Sequence, residues 1–209
     1  MACVAFNLAA PLVSWAEAGS AVRPTDSVPT WSAVVGMMGA ALGLERGDSR
    51  LFELARDYAL AVDVQQAGRR LEDYHTVQTP KRAASAVTAR TRGEELALDL
   101  QTSITRREYV AGAVYRIFIV VMAPEPCCSP AFIATALGSP FFPLSAGRRS
   151  CLVGNVAAIV VDGELEETLR EATHWDARIK LARPHSMIRE RRDMPVAPRV
   201  FDIRLECMA

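Results

Sequence analysis

Val114-Tyr115-Arg116-Ile117-Phe118-Ile119-Val120-Val121-Met122 is the most strand-like stretch of this 209-residue chain. Branched and aromatic side chains fill it, and Arg116 is its one charge. Such residues fit a pleated, buried surface, so this is the strongest strand, and the other elements are read outward from it. Downstream, Pro124 to Pro126 breaks the chain. Ser129-Pro130 then supplies an N-cap and a first-turn proline for a helix over Ala131 to Leu137, stopped by Gly138. Leu152 to Asp162 is apolar and β-branched and is predicted as a strand, followed by a short helix over Glu164 to Thr173.

Upstream, Cys3 to Leu8 is an apolar run predicted as the first strand, and Pro11 to Trp15 as a turn anchored by Trp15. The polar stretch Ala18 to Pro29 reads as a loop. Pro29-Thr30 opens a helix in which Trp31, Val34, Val35, Met38, Ala41 and Leu42 recur at helical spacing, with Gly43 to end it. Gly36, Gly39 and Ala40 thin one face, which predicts close packing on a sheet. Asp48-Ser49-Arg50 caps a second helix carrying Leu51, Phe52, Leu54 and Ala55. Tyr58 to Val64 is predicted as a strand, with Leu71 to Gln78 returning as its partner after the turn Ala67 to Arg70.

Between these strands and Val114 lies a different kind of sequence. Lys81 to Arg92 is small, polar and basic, and has little to bury. A basic insertion over 81–107 between two strands predicts a protruding hairpin or loop. The tail 183–209 holds Arg189, Arg191, Arg192, Arg199 and Arg204 and reads as a basic extended arm ending in a strand. Strand, helix, strands, hairpin, strand, helix, loop, strand is the order of an α+β, ferredoxin-like sheet in one domain, with helices on one face.

Composition narrows the function. Apolar residues make up 50% and charged residues 23%, which is the balance of a globular chain with a real core. The net charge is zero, which argues against a free, non-specific nucleic-acid binder but allows a local basic groove. Five scattered cysteines without C-x-x-C spacing suit reduced thiols in a cytoplasm, and the dispersed histidines offer no zinc set. No stretch has the character of a transmembrane helix, and the N-terminus lacks the basic region of a signal peptide. Phosphate-loop, dinucleotide and nucleophile-elbow motifs are absent, so no cofactor is expected.

What the chain does carry is a set for holding nucleic acid. Arginines stand at Arg23, Arg90, Arg92, Arg106, Arg107, Arg148 and Arg149, and stacking rings at Trp31, Tyr74, His75 and Tyr109. Single-stranded RNA is bound by such mixtures on a sheet or beside it. In Pro140-Phe141-Phe142-Pro143-Leu144-Ser145-Ala146-Gly147-Arg148-Arg149-Ser150-Cys151 the aromatics are expected to anchor a loop from which two guanidiniums point outward. His75, in Asp73-Tyr74-His75-Thr76 near Lys81, is the best candidate for acid–base RNA cleavage. No second histidine has a sequence reason to lie beside it.

Several of these stretches resemble one known family in order and spacing. They are Pro11-Leu12-Val13-Ser14-Trp15, Arg23-Pro24-Thr25, Pro29 to Gly36, Ala40 to Gly43, Asp73 to Gln78, Thr105-Arg106-Arg107-Glu108-Tyr109, Phe142-Pro143-Leu144 with Gly147 to Cys151, and Arg191 to Val196. Together they are similar to the CasD family, RAMP subunits that hold the 5′ handle of the guide RNA in the type I-E CRISPR complex Cascade. The resemblance implies an RNA-recognition-motif-like fold with a thumb hairpin, here 81–107. It implies a non-catalytic, cytoplasmic subunit that caps the backbone-subunit filament, touches the large subunit and meets target DNA only through the assembled complex. The RNA-binding set it implies is Arg23, Trp31, Ser32, His75, Lys81, Arg82, Arg90, Arg106, Arg107, Tyr109, Gly147, Arg148, Arg149 and Ser150, with no metal. A related subtype uses its equivalent subunit as a metal-independent endoribonuclease on CRISPR repeat RNA, which is the alternative function. Three positions depart from the family pattern: Ala10 and Ala16 replace glycines, and Trp31 replaces a basic residue whose phosphate contact an indole could exchange for stacking.

Overall fold

A computed structural model describes residues 2–15, 22–81, 90–154, 156–181, 187–197 and 200–209. In chain order the strands are β1 (Ala2–Ala9), β2 (Leu12–Val13), β3 (Val22–Arg23), β4 (Tyr58–Gln66), β5 (Arg69–Pro80), β6 (Leu100–Ala111), β7 (Val114–Val121), β8 (Ile159–Asp162), β9 (His174–Asp176), β10 (Met187–Ala197) and β11 (Val200–Met208). The helices are α1 (Trp31–Ala41), α2 (Arg50–Asp57), α3 (Arg92–Leu96), α4 (Pro130–Gly138) and α5 (Leu165–Thr168).

The strand read first in the sequence lies inside the larger sheet, whose order is β10-β11-β9-β4-β7-β1-β8. β7 pairs antiparallel with β1 on one side and β4 on the other. Its alternate residues Tyr115, Ile117 and Ile119 join Val4, Phe6 and Leu8 of β1 and Leu60 and Val62 of β4 in the main core. α1, α2 and α4 cover that face. α1 starts where Thr30, in extended conformation, accepts the Ala33 N–H, and Gly43 turns the chain away with φ near +74°. α4 starts at the predicted cap, with Ser129 accepting from Phe132 N–H and Pro130 in the first turn. The thin face of α1 does not meet the sheet. A Cβ on Gly39 would lie 2.4 Å from Leu51 of α2, and Gly36 faces open space. The sheet instead receives the larger side chains Trp31, Val34, Val35 and Met38.

The other face of the sheet is also closed, against the expectation of helices on one face only. Cys3, Ala5, Ala59, Ala61, Phe118 and Val120 lie under Leu169, Ala172, Trp175 and Ile179. The small alanines let the segments flanking β9, with the Trp175 side chain from β9 itself, sit close. The central strands of the larger sheet therefore present no open face on which RNA could stack.

A second, four-stranded sheet grows from the first. β5 and β6 form an antiparallel ribbon paired from Arg69↔Ala111 to Pro80↔Leu100. Twelve residues at strand rise make it about 40 Å long. β5 was expected to pair with β4, but both edges of β4 are taken, by β7 and β9. The protruding element thus begins at Arg69 rather than Lys81, and it ends at Ala111. β2 and β3 pair in tandem with the opposite edge of β6, β2 antiparallel at Val110 and Ala111, β3 parallel at Arg106 and Arg107. So part of the predicted loop before α1 is a strand.

Three further stretches differ from the sequence reading. Among the described residues of 152–162 only Ile159–Asp162 form a strand, and Leu152 instead bridges to Ser145. Of 164–173 only Leu165–Thr168 is helical. The tail is no free basic arm: β10 and β11 form a hairpin that extends the larger sheet through β9. Two of its arginines are spent internally. Arg204 is buried, with Nε 2.9 Å from Asp193 Oδ1, Nη2 3.0 Å from Asp193 Oδ2 and 3.2 Å from Glu206 Oε1. Arg189 Nε lies 2.6 Å from Glu206 Oε2, and its Nη2 3.4 Å from Asp26 Oδ2. Asp193 Oδ2 also accepts the Trp31 N–H at 2.8 Å, so the hairpin grips the first turn of α1.

Candidate nucleic-acid interface

The Gly147 to Ser150 turn is held from below by buried Leu144, Ala146 and Cys151. Hydrogen bonds from Ala146 N to Cys151 O, Cys151 N to Arg148 O and Val153 N to Leu144 O close it, and Ser14 N donates to Ala146 O. The aromatics are not the anchor: Phe141 is 73% and Phe142 39% exposed. They stand above the end of α1, where their backbone N–H groups donate to Ala41 O and Ala40 O. Gly147 has φ near +86°, and a Cβ there would lie 1.8 Å from Ser14 O, so this glycine is required by the β2 segment beneath it.

The two arginines of the turn have separate lives. Arg148 donates to Glu108 O at 3.2 Å and Arg23 O at 3.1 Å, and its guanidinium lies 4.7 Å from the centre of the Tyr109 ring. It ties the turn to β3 and β6, and it covers the Tyr109 face that was expected to stack on a base. Arg149 and Ser150 are exposed, and Arg149 has no partner among the described residues.

Beside the turn runs a groove of about 420 Å³. Ser32, Gly36, Arg46, Leu51, Arg148 and Pro195 are among its lining residues, and the lining holds two arginines and no acid. Its floor is α1 at Gly36, and Pro195 of the C-terminal hairpin forms part of its wall. Arg46 is a residue the sequence reading missed. It is exposed and unpaired among the described residues, next to Gly47 at φ near +98°. An arginine before a glycine in a short helix-to-helix loop was the available signal.

Trp31 does not belong to an RNA surface. Its ring is fully buried and its Nε1 donates to Ala55 O at 3.3 Å, so the expectation of a stacking indole is corrected to a core residue. The first turn of α1 is already served, because Thr30 and Asp193 accept from the Ala33 and Trp31 N–H groups. A phosphate there would displace a protein oxygen.

The ribbon separates the remaining predicted residues. Arg106 and Arg107 are neighbours in sequence and therefore point to opposite faces. Arg106 sits 3.8 Å from Glu72, whereas Arg107 makes no ion pair among the described residues. Arg23 lies directly beside Arg107 in the parallel pairing of β3 with β6. His75 is halfway out, 45% exposed, with Asp73 3.6 Å away. Lys81, at the far end, bonds Asp99 at 2.8 Å, and the Arg90 side chain is exposed there. Arg82 and residues 83–89 lie outside the described residues.

Cysteine chemistry has no foothold. The Cys127 thiol is pushed up to about 12, first by loss of water around the sulfur and then by its hydrogen bond to Asp57 and that carboxylate's charge. Its alkylation by iodoacetamide at pH 8 should run on the order of a hundredfold or more slower than that of free cysteine. Mass-spectrometric labelling rates for Cys127 check this, and a rate equal to free cysteine would refute it. Among the described residues there is no cluster of three or more potential metal ligands and no helix long and apolar enough to cross a membrane.

The family model described as CRISPR-associated protein (Cas_Cas5) matches residues 3–204. The chain belongs to this Cas5 family. The CRISPR system Cascade subunit CasD of Escherichia coli (strain K12) is 28% identical to it over 155 residues, covering 69% of this chain and 64% of that protein. The match thus spans less than two thirds of that relative's length. Two solved structures share the fold. One, described as a CRISPR RNA-guided surveillance complex, has a chain with TM-score 0.69 and 23% identity, covering 99% of this chain and 89% of that one. The other, described as a crystal structure of a Cas protein, gives TM-score 0.63 at 20% identity, covering 99% and 94%. This Cas5 chain accordingly has the mixed α/β architecture with antiparallel sheets that such proteins share.

Proposed function

We propose that this chain is the Cascade subunit that holds the 5′ handle of the guide RNA in a type I-E CRISPR complex and does not cut it. The observation that carries this reading is the groove between α1 and the Arg148 turn, lined by Arg46 and Arg148 with no acid, with the exposed Arg149 next in the same turn. Guanidiniums in such a setting bind phosphates by charge-assisted hydrogen bonds, while an apolar wall can take a base. The strand order β4-β7-β1-β8, with α1 between β1 and β4 and α4 between β7 and β8, supports a ferredoxin-like reading of the core. The β5–β6 ribbon supports the thumb. The protein partners in this reading are the adjoining backbone subunit and the large subunit, and target DNA is met only through the assembly. Phe132 and Phe141, 60% and 73% exposed, are the kind of surface that an assembly covers.

The holding role is favoured over cleavage by the surroundings of His75. Asp73 is its near neighbour, and Tyr74 points to the opposite face of the ribbon. His174, on β9, has Nδ1 3.0 Å from the Thr173 hydroxyl. Cleavage of labelled repeat RNA by the purified chain in chelator, abolished by His75→Ala, would overturn the holding role and leave an endoribonuclease.

Binding is tested through the groove. Gly36→Leu adds a side chain where nothing lies within 4 Å, so the fold should remain while the groove fills. Handle RNA binding should fall more than about tenfold, in line with the loss of one base contact. Arg149→Ala should leave the melting temperature unchanged and flatten the log–log salt dependence of binding by about 0.7. Unaltered affinity and slope in both variants would sink the groove as the RNA site.

A further inference from the structure

Glu108, on β6, collects bonds from several segments around the groove. Its main-chain oxygen accepts from Ser14 Oγ at 3.1 Å and from Arg148 Nη1 at 3.2 Å. Its carboxylate oxygen Oε2 accepts from Arg70 Nη1 at 2.9 Å and from the Thr25 N–H at 3.2 Å. One residue thus joins the end of β2, the end of β3, the start of β5 and the Arg148 turn.

The bond to Thr25 reaches furthest. β3 ends at Arg23, and Pro24 has no N–H to give. Thr25 is therefore the first main-chain donor after the strand. It is buried, 4% exposed, so its N–H needs an acceptor, and the Glu108 carboxylate is that acceptor. The Thr25 hydroxyl in turn accepts the Trp15 N–H at 2.8 Å. Two residues back from Thr25, Arg23 O accepts from Arg148 Nη2 at 3.1 Å. A short relay therefore runs from the carboxylate through Thr25 and the stiff Pro24 to Arg23 O and the Arg148 guanidinium. Two carbonyls, Glu108 O and Arg23 O, set the plane of that guanidinium. Its other N–H groups have no hydrogen-bond partner among the described residues, and Arg148 lines the groove.

We propose that Glu108 is a positioning residue for RNA binding: by holding the Thr25 N–H it fixes Arg23 O, and so presents Arg148 to the groove before RNA arrives, without touching RNA itself. This deepens the handle-holding reading and rests on it. Holding the guanidinium ready removes an ordering cost from binding. The sign of the effect separates this role from a merely electrostatic one. A carboxylate acting only as a charge repels a polyanion, so its loss would tighten binding. A carboxylate that positions Arg148 has the opposite effect, because its loss weakens binding.

The test titrates the full chain with labelled single-stranded RNA of the repeat-derived 5′ segment. Glu108→Ala should weaken binding about tenfold, as the competent arrangement falls to about a tenth of the population. The log–log salt slope should stay, because no phosphate contact is deleted. Two conservative variants divide reach from charge. Glu108→Gln keeps an oxygen within reach of Thr25 and drops the charge, so it should bind at least as well as the wild type. Glu108→Asp keeps the charge on a shorter stem and should bind as weakly as Glu108→Ala. In an Arg148→Ala background Glu108→Asp should cause no further loss, since its effect runs through that guanidinium. Melting curves set the temperature at which every variant is folded. Tighter or unchanged binding in Glu108→Ala, a Gln variant weaker than the Asp variant, or losses that add to those of Arg148→Ala would each overturn the proposal, and the handle reading would stand. A wild-type chain that shows no salt-dependent RNA binding removes both.

Discussion

Gly147→Ala should cost this protein on the order of 4 kcal/mol, a loss that places it among severe single substitutions. The added Cβ would sit 1.8 Å from Ser14 O and 2.8 Å from Ser14 C. Both are backbone atoms, so no side chain can rotate aside. The left-handed conformation, with φ near +86°, adds about 1–2 kcal/mol for any residue with a Cβ. Relief requires the turn to lift away from the segment before Trp15, breaking the Ser14 N–Ala146 O hydrogen bond and uncovering a fully buried indole. At this chain length the melting temperature should drop by roughly 10 °C. RNA affinity should fall in step, because Arg148 and Arg149 ride on the same turn. Gly154→Ala, where nothing lies within 4 Å, is the control and should melt like the wild type. A Gly147→Ala protein that also melts like the wild type would mean that the turn does not rest on Ser14.

The second large effect is expected at Arg204. Asp193→Ala would strand a buried guanidinium that now has that carboxylate at 2.9 and 3.0 Å, with Glu206 its closest remaining charge at 3.2 Å. Breaking one side of a buried pair in this way costs about 3–5 kcal/mol. It also leaves the Trp31 N–H without its acceptor. Urea titration should show the loss directly. Replacing both partners, Asp193→Leu with Arg204→Met, should recover much of it, since apolar residues of similar volume need no desolvated charge. A single variant that costs less than about 1 kcal/mol would show that the cluster is wetter and weaker than its burial indicates.

How far the sequence could be read depended on whether a signal was local. β1, β7, α1 and α4 were legible because apolar density, Thr30 and Ser129 caps and the Gly43 stop all act within a few residues. The family was legible because its motifs keep their order along the whole chain. Pairing was less so. β5 looked like the return strand of β4, and nothing near it announces that β9, more than a hundred residues later, fills that edge. The Gly36 and Gly39 face was seen, but whether it met a sheet, another helix or a groove depended on where α2 packs. Arg106 and Arg107 looked alike as a basic pair until strand parity and Glu72 separated them. Trp31 read as a stacking ring because its place in the first turn says nothing of the hairpin that closes over it. The tail showed only its arginines. Its acids lie two to eleven residues from Arg204 and become partners only after β10 and β11 fold back on each other.

The bond between Asp193 and the first turn of α1 joins residues 162 positions apart in the chain. Translation supplies them in order, at about 5–20 residues per second, so α1 has emerged for roughly 8–30 seconds before its clamp exists. During that interval Pro195 has not yet supplied its part of the groove wall. If the groove holds RNA as proposed, a nascent chain offers an unfinished grip until β10 and β11 have left the ribosome. Under the proposed function, growth from the amino end then acts as a timer, delaying RNA capture by the groove until its wall is complete.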